Sequence, residues 1–217
     1  MKVAMFEDAE AILMTYNGAN NRYRSWSLFY HFFNDGHQDR RYDSVHLVAY
    51  LASWGMYRGS SRLLQFHDYT VHDGALEIVR EKQFVALKAA TLAIYNHEAN
   101  VRLLTDLIVR LRTHYRNNDV TPTDTLISKI LLGCLACVPA FDRNFILGVR
   151  SVVTEHINAQ ALALPLYSLN AFAALRGHLQ GFPAIDLTCH QGWGYPFFKQ
   201  VDMFFFQKGS NVAAIQV

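Results

Sequence analysis

The chain has 217 residues, 51% of them hydrophobic, and a formal net charge of +2, which excludes a strongly polyelectrolyte protein. Its three cysteines favour a reducing compartment over a disulfide framework. Glu7, Asp8 and Glu10 argue against a signal peptide, and the longest nearly apolar run, 130–141, is too short to span a bilayer. We therefore expect a soluble, cytoplasmic protein.

Apolar residues recur at helical spacing along most of the chain, and no segment shows sustained period-two alternation. The sequence therefore predicts an all-α protein of about eight to ten helices. The predicted helices, in chain order, are 3–15, 22–35, 44–57, 62–66, 73–96 with a break near Glu81, 100–115, 125–137, 139–150, 159–177 and 196–209.

Several residues are typical of helix starts and ends. Asp43 or Ser44 can cap the helix at 44–57, and Asp124 or Thr123 can cap the helix at 125–137. Pro139 suits the first turn of the next helix, and Gly209 is the expected end of the last helix.

Asp142 lies just inside the predicted helix 139–150, with hydrophobic sequence around it. A half-buried carboxylate costs free energy unless it is hydrogen-bonded, paired or used in chemistry. One interpretation is a helix N-terminal acid that interacts with the helix dipole or pairs with Arg143 or Arg58. The other is a functional carboxylate, and the residue pattern by itself leaves both open.

The segment LISKILLGCLACVPAFDRNF, residues 126–145, resembles the catalytic region of helix-hairpin-helix DNA glycosylases. In that family a hairpin is followed by a helix and then by a Pro-x-x-Asp whose aspartate is the catalytic carboxylate. Residues 139–142 match the Pro-x-x-Asp, 125–132 the helix and 121–124 the hairpin turn. The turn, TPTD, contains no glycine, whereas the family's hairpin is usually glycine-rich.

The resemblance implies a two-lobed all-α fold with the active cleft between the lobes. It suggests one domain over 1–217, with lobes formed by roughly 1–70 with 150–217 and by 71–149. It also implies a monofunctional DNA glycosylase that leaves an abasic site, with Asp142 as the catalytic carboxylate. Bifunctional members of the family use a lysine nucleophile, so Lys129 is a candidate nucleophile or phosphate contact, a solvent-facing lysine being the alternative.

The chemistry of such a site is physically reasonable. Cleavage of a glycosidic bond develops positive charge on the sugar, which a neighbouring carboxylate stabilises while it orients water. The base must leave the duplex, and aromatic side chains then stack on it. Candidate residues of this base pocket are Tyr23, Trp26, Trp54 and Tyr57, with Trp193 as a further candidate.

A compact polar break at 57–62 interrupts a very apolar sequence. Its glycine allows close backbone approach to a phosphate and its arginines supply charge-assisted hydrogen bonds, although a helix kink capped by serines explains it equally well. The candidate DNA-binding residues are Arg58, Ser60, Arg62, Thr121, Thr123 and Arg143.

The sequence does not favour a metal or a cofactor. Cys134 and Cys137 form a CxxC inside an apolar helix and Cys189 precedes His190, so core cysteines are the favoured interpretation. Three thiolates are too few for an iron–sulfur cluster, and no HExxH, GxGxxG or phosphate-loop motif occurs. The expected partner is DNA that contains a modified or damaged base, bound by a monomer without a membrane.

Three further segments, RYRSW, YLASWGMYRGSS and YPFFKQVDMFFF, are similar to segments of bacterial all-helical proteins. That similarity suggests defence against phages with glucosylated or hydroxymethylated cytosine, and DNA repair is the related alternative. A different class is a non-enzymatic helical interaction protein, such as a toxin–antitoxin or abortive-infection component. A small-molecule hydrolase that uses the same aspartate is the third class.

The placement of cations distinguishes these classes. The enzyme interpretation gains if one cleft contains Asp142 and is flanked by the cationic residues Arg58, Arg62, Lys129, Arg143 and Arg150, and it loses if they scatter.

Overall fold

The structure is a computed structural model that describes residues 4–18, 21–36, 40–59, 61–156 and 169–215. Within these ranges the secondary structure is helical, apart from one isolated antiparallel bridge between Thr188 and Gly194. The predicted all-α class is confirmed. None of the helices in the described ranges is both long and apolar enough to cross a membrane.

The α-helices of the described part are joined by turns and short 3-10 helices. They are α1 (Ala9–Gly18), α2 (Ser25–Asn34), α3 (Asp43–Ser53), α4 (Arg62–Phe66), α5 (Asp73–Val79), α6 (Glu98–Asn117), α7 (Asp124–Cys134), α8 (Arg143–His156), α9 (Phe172–His178) and α10 (Phe197–Ile215).

Helix α7 lies at the centre of the core. Every residue from Leu126 to Cys134 is buried, and the helix packs against α2, α3 and α6. A helix that is hydrophobic on nearly all sides has to be enclosed by other elements. Its N-terminus is capped by the Thr123 hydroxyl, which accepts a hydrogen bond from the Leu126 N–H at 3.2 Å. Thr123 is one of the two residues predicted to cap this helix.

Helices α8 and α10 cross in backbone contact at two glycines, Gly148 and Gly209. A Cβ atom at Gly209 would lie 1.8 Å from the Asn144 carbonyl oxygen, and one at Gly148 would lie 1.8 Å from the Phe205 carbonyl oxygen. Helix α10 continues to Ile215, so the prediction that Gly209 ends the last helix is wrong. This glycine serves close packing between helices and not helix termination.

The segment 73–96 is not one helix with a single break. Helix α5 ends at Val79 and is followed by 3-10 helices at Lys82–Leu87 and Ile94–Asn96. Between these, Ala89 has a φ of 50°, and its N–H donates to the Leu135 carbonyl at 2.7 Å. This left-handed residue turns the chain toward the connection after α7, which local helical propensity does not predict.

Two predicted helix starts also differ from the structure. Pro139 lies in the connection before α8, which begins at Arg143. The side chain of Asp43 does not cap α3, because it accepts a hydrogen bond from Arg80 Nη2 at 2.6 Å instead. Of the predicted helix 159–177, only the part beginning at Leu169 falls within the described residues.

Candidate active site

The backbone immediately before Asp142 is held by side chains of two helices. The Phe141 N–H donates to the Ser128 hydroxyl of α7 at 2.8 Å. The Ala140 N–H donates to Asp202 Oδ1 of α10 at 3.0 Å. Buried backbone donors need such partners, and these two fix the position from which Asp142 projects.

Both carboxylate oxygens of Asp142 have a partner. Oδ1 accepts the Phe145 N–H at 3.0 Å, which caps the first turn of α8, and Oδ2 accepts from Lys129 Nζ at 2.9 Å. The Asp142 side chain remains 16% exposed, whereas that of Lys129 is 4% exposed. Asp142 is thus a helix-capping acid as one interpretation expected, but its ion-pair partner is Lys129 and neither Arg143 nor Arg58.

The solvent-facing interpretation of Lys129 is therefore wrong. Residue 129 lies on the part of α7 that is buried throughout, from Leu126 to Cys134, and Lys129 itself is 3% exposed. Its ammonium lies 4.8 Å from the centroid of the Trp54 ring, within the range of a cation–π interaction. The carboxylate and the indole together compensate for burying this charge.

Trp54 is one of three stacked aromatic rings that we call the aromatic ladder: Tyr16, Tyr23 and Trp54. Tyr16 and Tyr23 stack with centroids 4.3 Å apart, and Tyr23 and Trp54 are nearly parallel at 5.7 Å. Phe206 of α10 packs edge-on against all three rings. Tyr16 is buried, but Tyr23 and Trp54 are half-buried, so the ladder runs from the core toward solvent.

A second buried ion pair lies beside the ladder, close to both of its end rings. Lys199 Nζ donates to Asp202 Oδ2 at 2.8 Å, and the two side chains are 2% and 8% exposed. The ammonium lies 5.2 Å from the Tyr16 centroid and 5.9 Å from the Trp54 centroid. The Trp54 indole is therefore within cation–π distance of two buried ammonium groups, those of Lys129 and Lys199.

The two carboxylates belong to one electrostatic cluster. Burial raises the pKa of Tyr16 well above its usual value, and the negative charges of Asp202 and Asp142 raise it further. Burial likewise raises the pKa of Tyr50, and the same two carboxylates add to the effect. Both phenols consequently stay neutral hydrogen-bonding groups at physiological pH.

The sequence argument missed Lys199 and Asp202. A signal for them exists, because they lie three residues apart inside the apolar run FFKQVDMFFF. The reasoning applied to Asp142, that a charge in apolar surroundings needs a partner, identifies them as an i,i+3 pair.

Two expected base-pocket residues are engaged in other contacts. Trp26 is 1% exposed, its Nε1–H donates to the Leu132 carbonyl at 2.9 Å, and its ring stacks on Tyr30 at 4.8 Å. Trp26 is thus a core residue without a face for a base. The Tyr57 hydroxyl lies 2.6 Å from His72 Nε2, so its polar group is already hydrogen-bonded within the chain.

The expected DNA-binding residues are not gathered around Asp142 by the contacts in the described part of the chain. Arg62 and Thr121 line a separate cavity of about 420 Å³ together with Arg116. Thr123 caps α7. Arg58, Arg62, Arg143 and Arg150 are exposed, and Ser60 lies outside the described residues. Of the five cations expected to flank one cleft, Lys129 pairs with Asp142, whereas Arg62 lines the separate cavity. By the criterion of cation placement, the enzyme interpretation therefore loses support.

Cys134 and Cys137 are buried free thiols, with Cys137 just beyond the end of α7. Burial raises the pKa of Cys134 well above its usual value and raises that of Cys137 to about 12. Within the described ranges, no three His, Cys, Asp or Glu side chains come together in a way that could hold a metal ion.

Comparison with family models, with curated proteins and with solved structures gave no match to this chain. Any statement about its chemistry therefore has to come from the geometry of the site itself.

Proposed function

We propose that this protein is a DNA glycosylase that hydrolyses the N-glycosidic bond of a modified or damaged base and leaves an abasic site. The observation that carries the proposal is the setting of Asp142. Its carboxylate is partly exposed and pairs with a buried ammonium, and that ammonium lies 4.8 Å from the centroid of the half-buried Trp54 ring. A fixed carboxylate next to stacking surfaces is what base excision requires.

Asp142 acts as the catalytic carboxylate in this proposal. Lys129 and the Phe145 N–H each occupy one lone pair of its oxygens, which leaves a lone pair on each for water or for the sugar. As the base departs with the electrons of the glycosidic bond, the carboxylate stabilises the positive charge on the sugar. Water then bonds to the anomeric carbon, and its proton passes to Asp142.

The exposed end of the aromatic ladder supplies the stacking surface for the extruded base. Trp54 presents its half-buried ring there. Tyr23 is stacked between Tyr16 and Trp54 and supports that ring, whereas Trp26 is buried and takes no part. Stacking on such rings tolerates bulky substituents at the ring edge. The proposal therefore favours a modified cytosine of phage DNA, hydroxymethylated or glucosylated, and includes a monomer that acts in the cytoplasm without a cofactor.

A second candidate function rests on a different aspect of the same geometry. Both oxygens of Asp142 already have partners within the chain, as expected of a structural helix cap in a non-enzymatic interaction protein. In that case the charge of Asp142 affects folding and nothing else. The two candidates are separated by an activity measurement on a variant that stays folded.

The experiment measures release of free base from DNA. Wild-type protein is incubated with unmodified duplex, with duplexes that carry oxidised or alkylated bases, and with DNA that contains hydroxymethyl- or glucosyl-cytosine. Mass spectrometry detects the free base, and alkali cleavage detects abasic sites. The Asp142→Asn variant keeps an oxygen that caps α8 but loses the charge, so we expect release to fall on the order of 100-fold.

Asp124→Asn is the matched control. Asp124 is also an ion-paired carboxylate at the start of a helix, with Arg112 as its partner, but it is not part of the Asp142 cluster. We expect this variant to release base at the wild-type rate. Release from no substrate by folded protein overturns the proposal and favours the interaction protein. Equal release by wild type and Asp142→Asn overturns the role of Asp142 as the catalytic carboxylate.

A further inference from the structure

A cavity of about 450 Å³ lies between the C-terminal end of α2 and the segment before α10. Its wall includes Trp193, which is 57% exposed although it is a large apolar side chain. The indole stacks on the ring of His31 with centroids 4.8 Å apart and an angle of 28°. With one face held by His31, the other face is available to a ligand.

Hydrogen-bond acceptors line the edge of this cavity. Asn34 uses both amide hydrogens on backbone carbonyls, those of Tyr30 at 2.8 Å and Cys134 at 2.9 Å. Its Oδ1 is therefore left as an acceptor, since an amide oxygen cannot donate. Asp35 adds an exposed carboxylate beside it. These two groups select for a ligand whose edge carries N–H donors.

Lys88 gives the same cavity a positive charge, which favours a ligand that also carries a negatively charged group. This exposed lysine lines the same cavity and precedes Ala89, whose N–H is anchored to the Leu135 carbonyl at 2.7 Å. An ammonium on an anchored backbone segment binds a phosphate group as a point charge. The cavity thus combines a stacking face, an acceptor edge and a cation.

We infer that this cavity binds a nucleobase with N–H donors along its ring edge, guanine foremost, with the ring on Trp193 and its phosphate on Lys88. Guanine presents adjacent N–H donors that match a carboxylate, and every base stacks on an indole. An arginine of a protein partner satisfies the same stack and carboxylate, but Lys88 repels it.

The ligand can come from two sources with the same chemistry: a free mononucleotide or a guanine in a DNA strand. The inference does not rest on the proposed glycosylase, because none of the residues that carry it belongs to the Asp142 cluster. Asp142→Asn is accordingly expected to bind here as wild type does, and either idea can fail alone.

The experiment titrates the protein with GMP, guanosine, AMP and CMP, and separately with a short single strand that contains one guanine in a thymine background. Binding is followed by isothermal calorimetry and by quenching of tryptophan fluorescence. Trp26 is buried and Trp54 half-buried, so quenching by a ligand at this cavity is expected to come from Trp193.

Three variants test the three parts of the cavity. Trp193→Ala is expected to weaken GMP binding about tenfold or more, the effect of losing one base–aromatic stack. Asp35→Asn is expected to remove the preference for GMP over AMP. Lys88→Ala is expected to weaken GMP but not guanosine, whereas Lys82→Ala, an exposed lysine of the preceding 3-10 helix, leaves both unchanged.

Trp193-dependent binding of GMP supports the inference with a free nucleotide as ligand, and Trp193-dependent binding of the strand alone supports it with DNA as the source. Binding that is equal in wild type and Trp193→Ala, or no binding of either, overturns it. An arginine-rich peptide that binds through Trp193 and Asp35 in place of the nucleotides also overturns it, in favour of a protein partner.

Discussion

Lys129 and Asp142 form an ion pair of 2.9 Å that joins the buried middle of α7 to the first turn of α8. The ammonium is almost fully enclosed, whereas the carboxylate reaches the surface. Removing one member leaves the other without its partner in a poorly solvated place, and this makes the pair energetically coupled.

The coupling is measurable by a double-mutant cycle with Lys129→Met and Asp142→Asn. Each single variant is expected to lower the free energy of unfolding, because each leaves one buried polar group without its charge partner. The double variant is expected to be less destabilised than the sum of the single effects by about 1 to 3 kcal/mol. Urea denaturation followed by circular dichroism gives the four free energies.

The pair of Arg102 and Glu98 is the control for that cycle, because its side chains are 70% and 78% exposed. Its coupling is expected to stay below about 0.5 kcal/mol. Additive effects at Lys129 and Asp142 would mean that the buried pair contributes no more than this exposed one.

Gly209→Ala is expected to destabilise the protein by about 3 kcal/mol or more, since the new methyl group meets a backbone carbonyl and not a mobile side chain. The shift in thermal unfolding temperature measures this loss. Gly177→Ala in α9 is the matched control, because its Cβ would have no atom within 4 Å. That substitution is expected to be neutral or stabilising by up to about 1 kcal/mol. Similar losses in both variants would contradict the close crossing of α8 and α10.

His72 makes stability depend on pH. Its ring nitrogens lie 2.6 Å from the hydroxyls of Tyr57 and Tyr115, and burial, with smaller effects of His114 and His67, lowers its pKa from 6.5 to about 3. The folded state then binds fewer protons than the unfolded state between these values. Its contribution is therefore complete above pH 6.5 and is lost as the pH falls toward 3, by up to about 1.4 kcal/mol per pH unit.

The comparison uses His72→Gln, which can still donate and accept hydrogen bonds but does not titrate. Unfolding free energies measured from pH 7 to pH 4.5 are expected to fall less steeply in this variant than in wild type. His190→Gln, at an exposed position, is expected to keep the wild-type slope. Parallel slopes for all three proteins would show that His72 titrates normally.

Cys134 and Cys137 are expected to resist thiol reagents in the folded protein. Burial raises the pKa of each thiol, so the reactive thiolate is scarce and the sulfur is inaccessible. In a Cys189→Ser variant, titration with a chromogenic disulfide is expected to find no rapidly reacting thiol under native conditions and two in urea. Rapid native modification of either residue would contradict its placement in the core.

Local patterns in the sequence predicted much of the helical framework. The apolar stripe at Leu104, Leu107 and Leu111 is buried in α6, as its spacing predicts. The Thr123 cap also follows from local sequence, because a cap joins atoms only three residues apart. The failures near Ala89 and Gly209 arose where a contact with a distant segment set the backbone path.

The sequence could predict which charged residues of the candidate site need partners, but it could not predict every partner. Asp142 attracts attention as a charge in apolar sequence, and the same reasoning applies to Lys199 and Asp202. The partner of Asp142 was not predictable, because Lys129 lies 13 residues earlier on another helix and meets it through the tertiary packing of α7 and α8. The exclusion of Trp26 from any pocket depends likewise on packing against Leu132.

The sequence by itself determined the all-α class, the apolar faces and the presence of an aspartate that needs a partner, since helical periodicity and capping act over a few residues. Only the tertiary structure decided that the partner is Lys129 and that the Trp54 ring lies against its ammonium. It also decided that α8 and α10 touch at Gly148 and Gly209. These relationships depend on how helices cross, which short-range patterns do not encode.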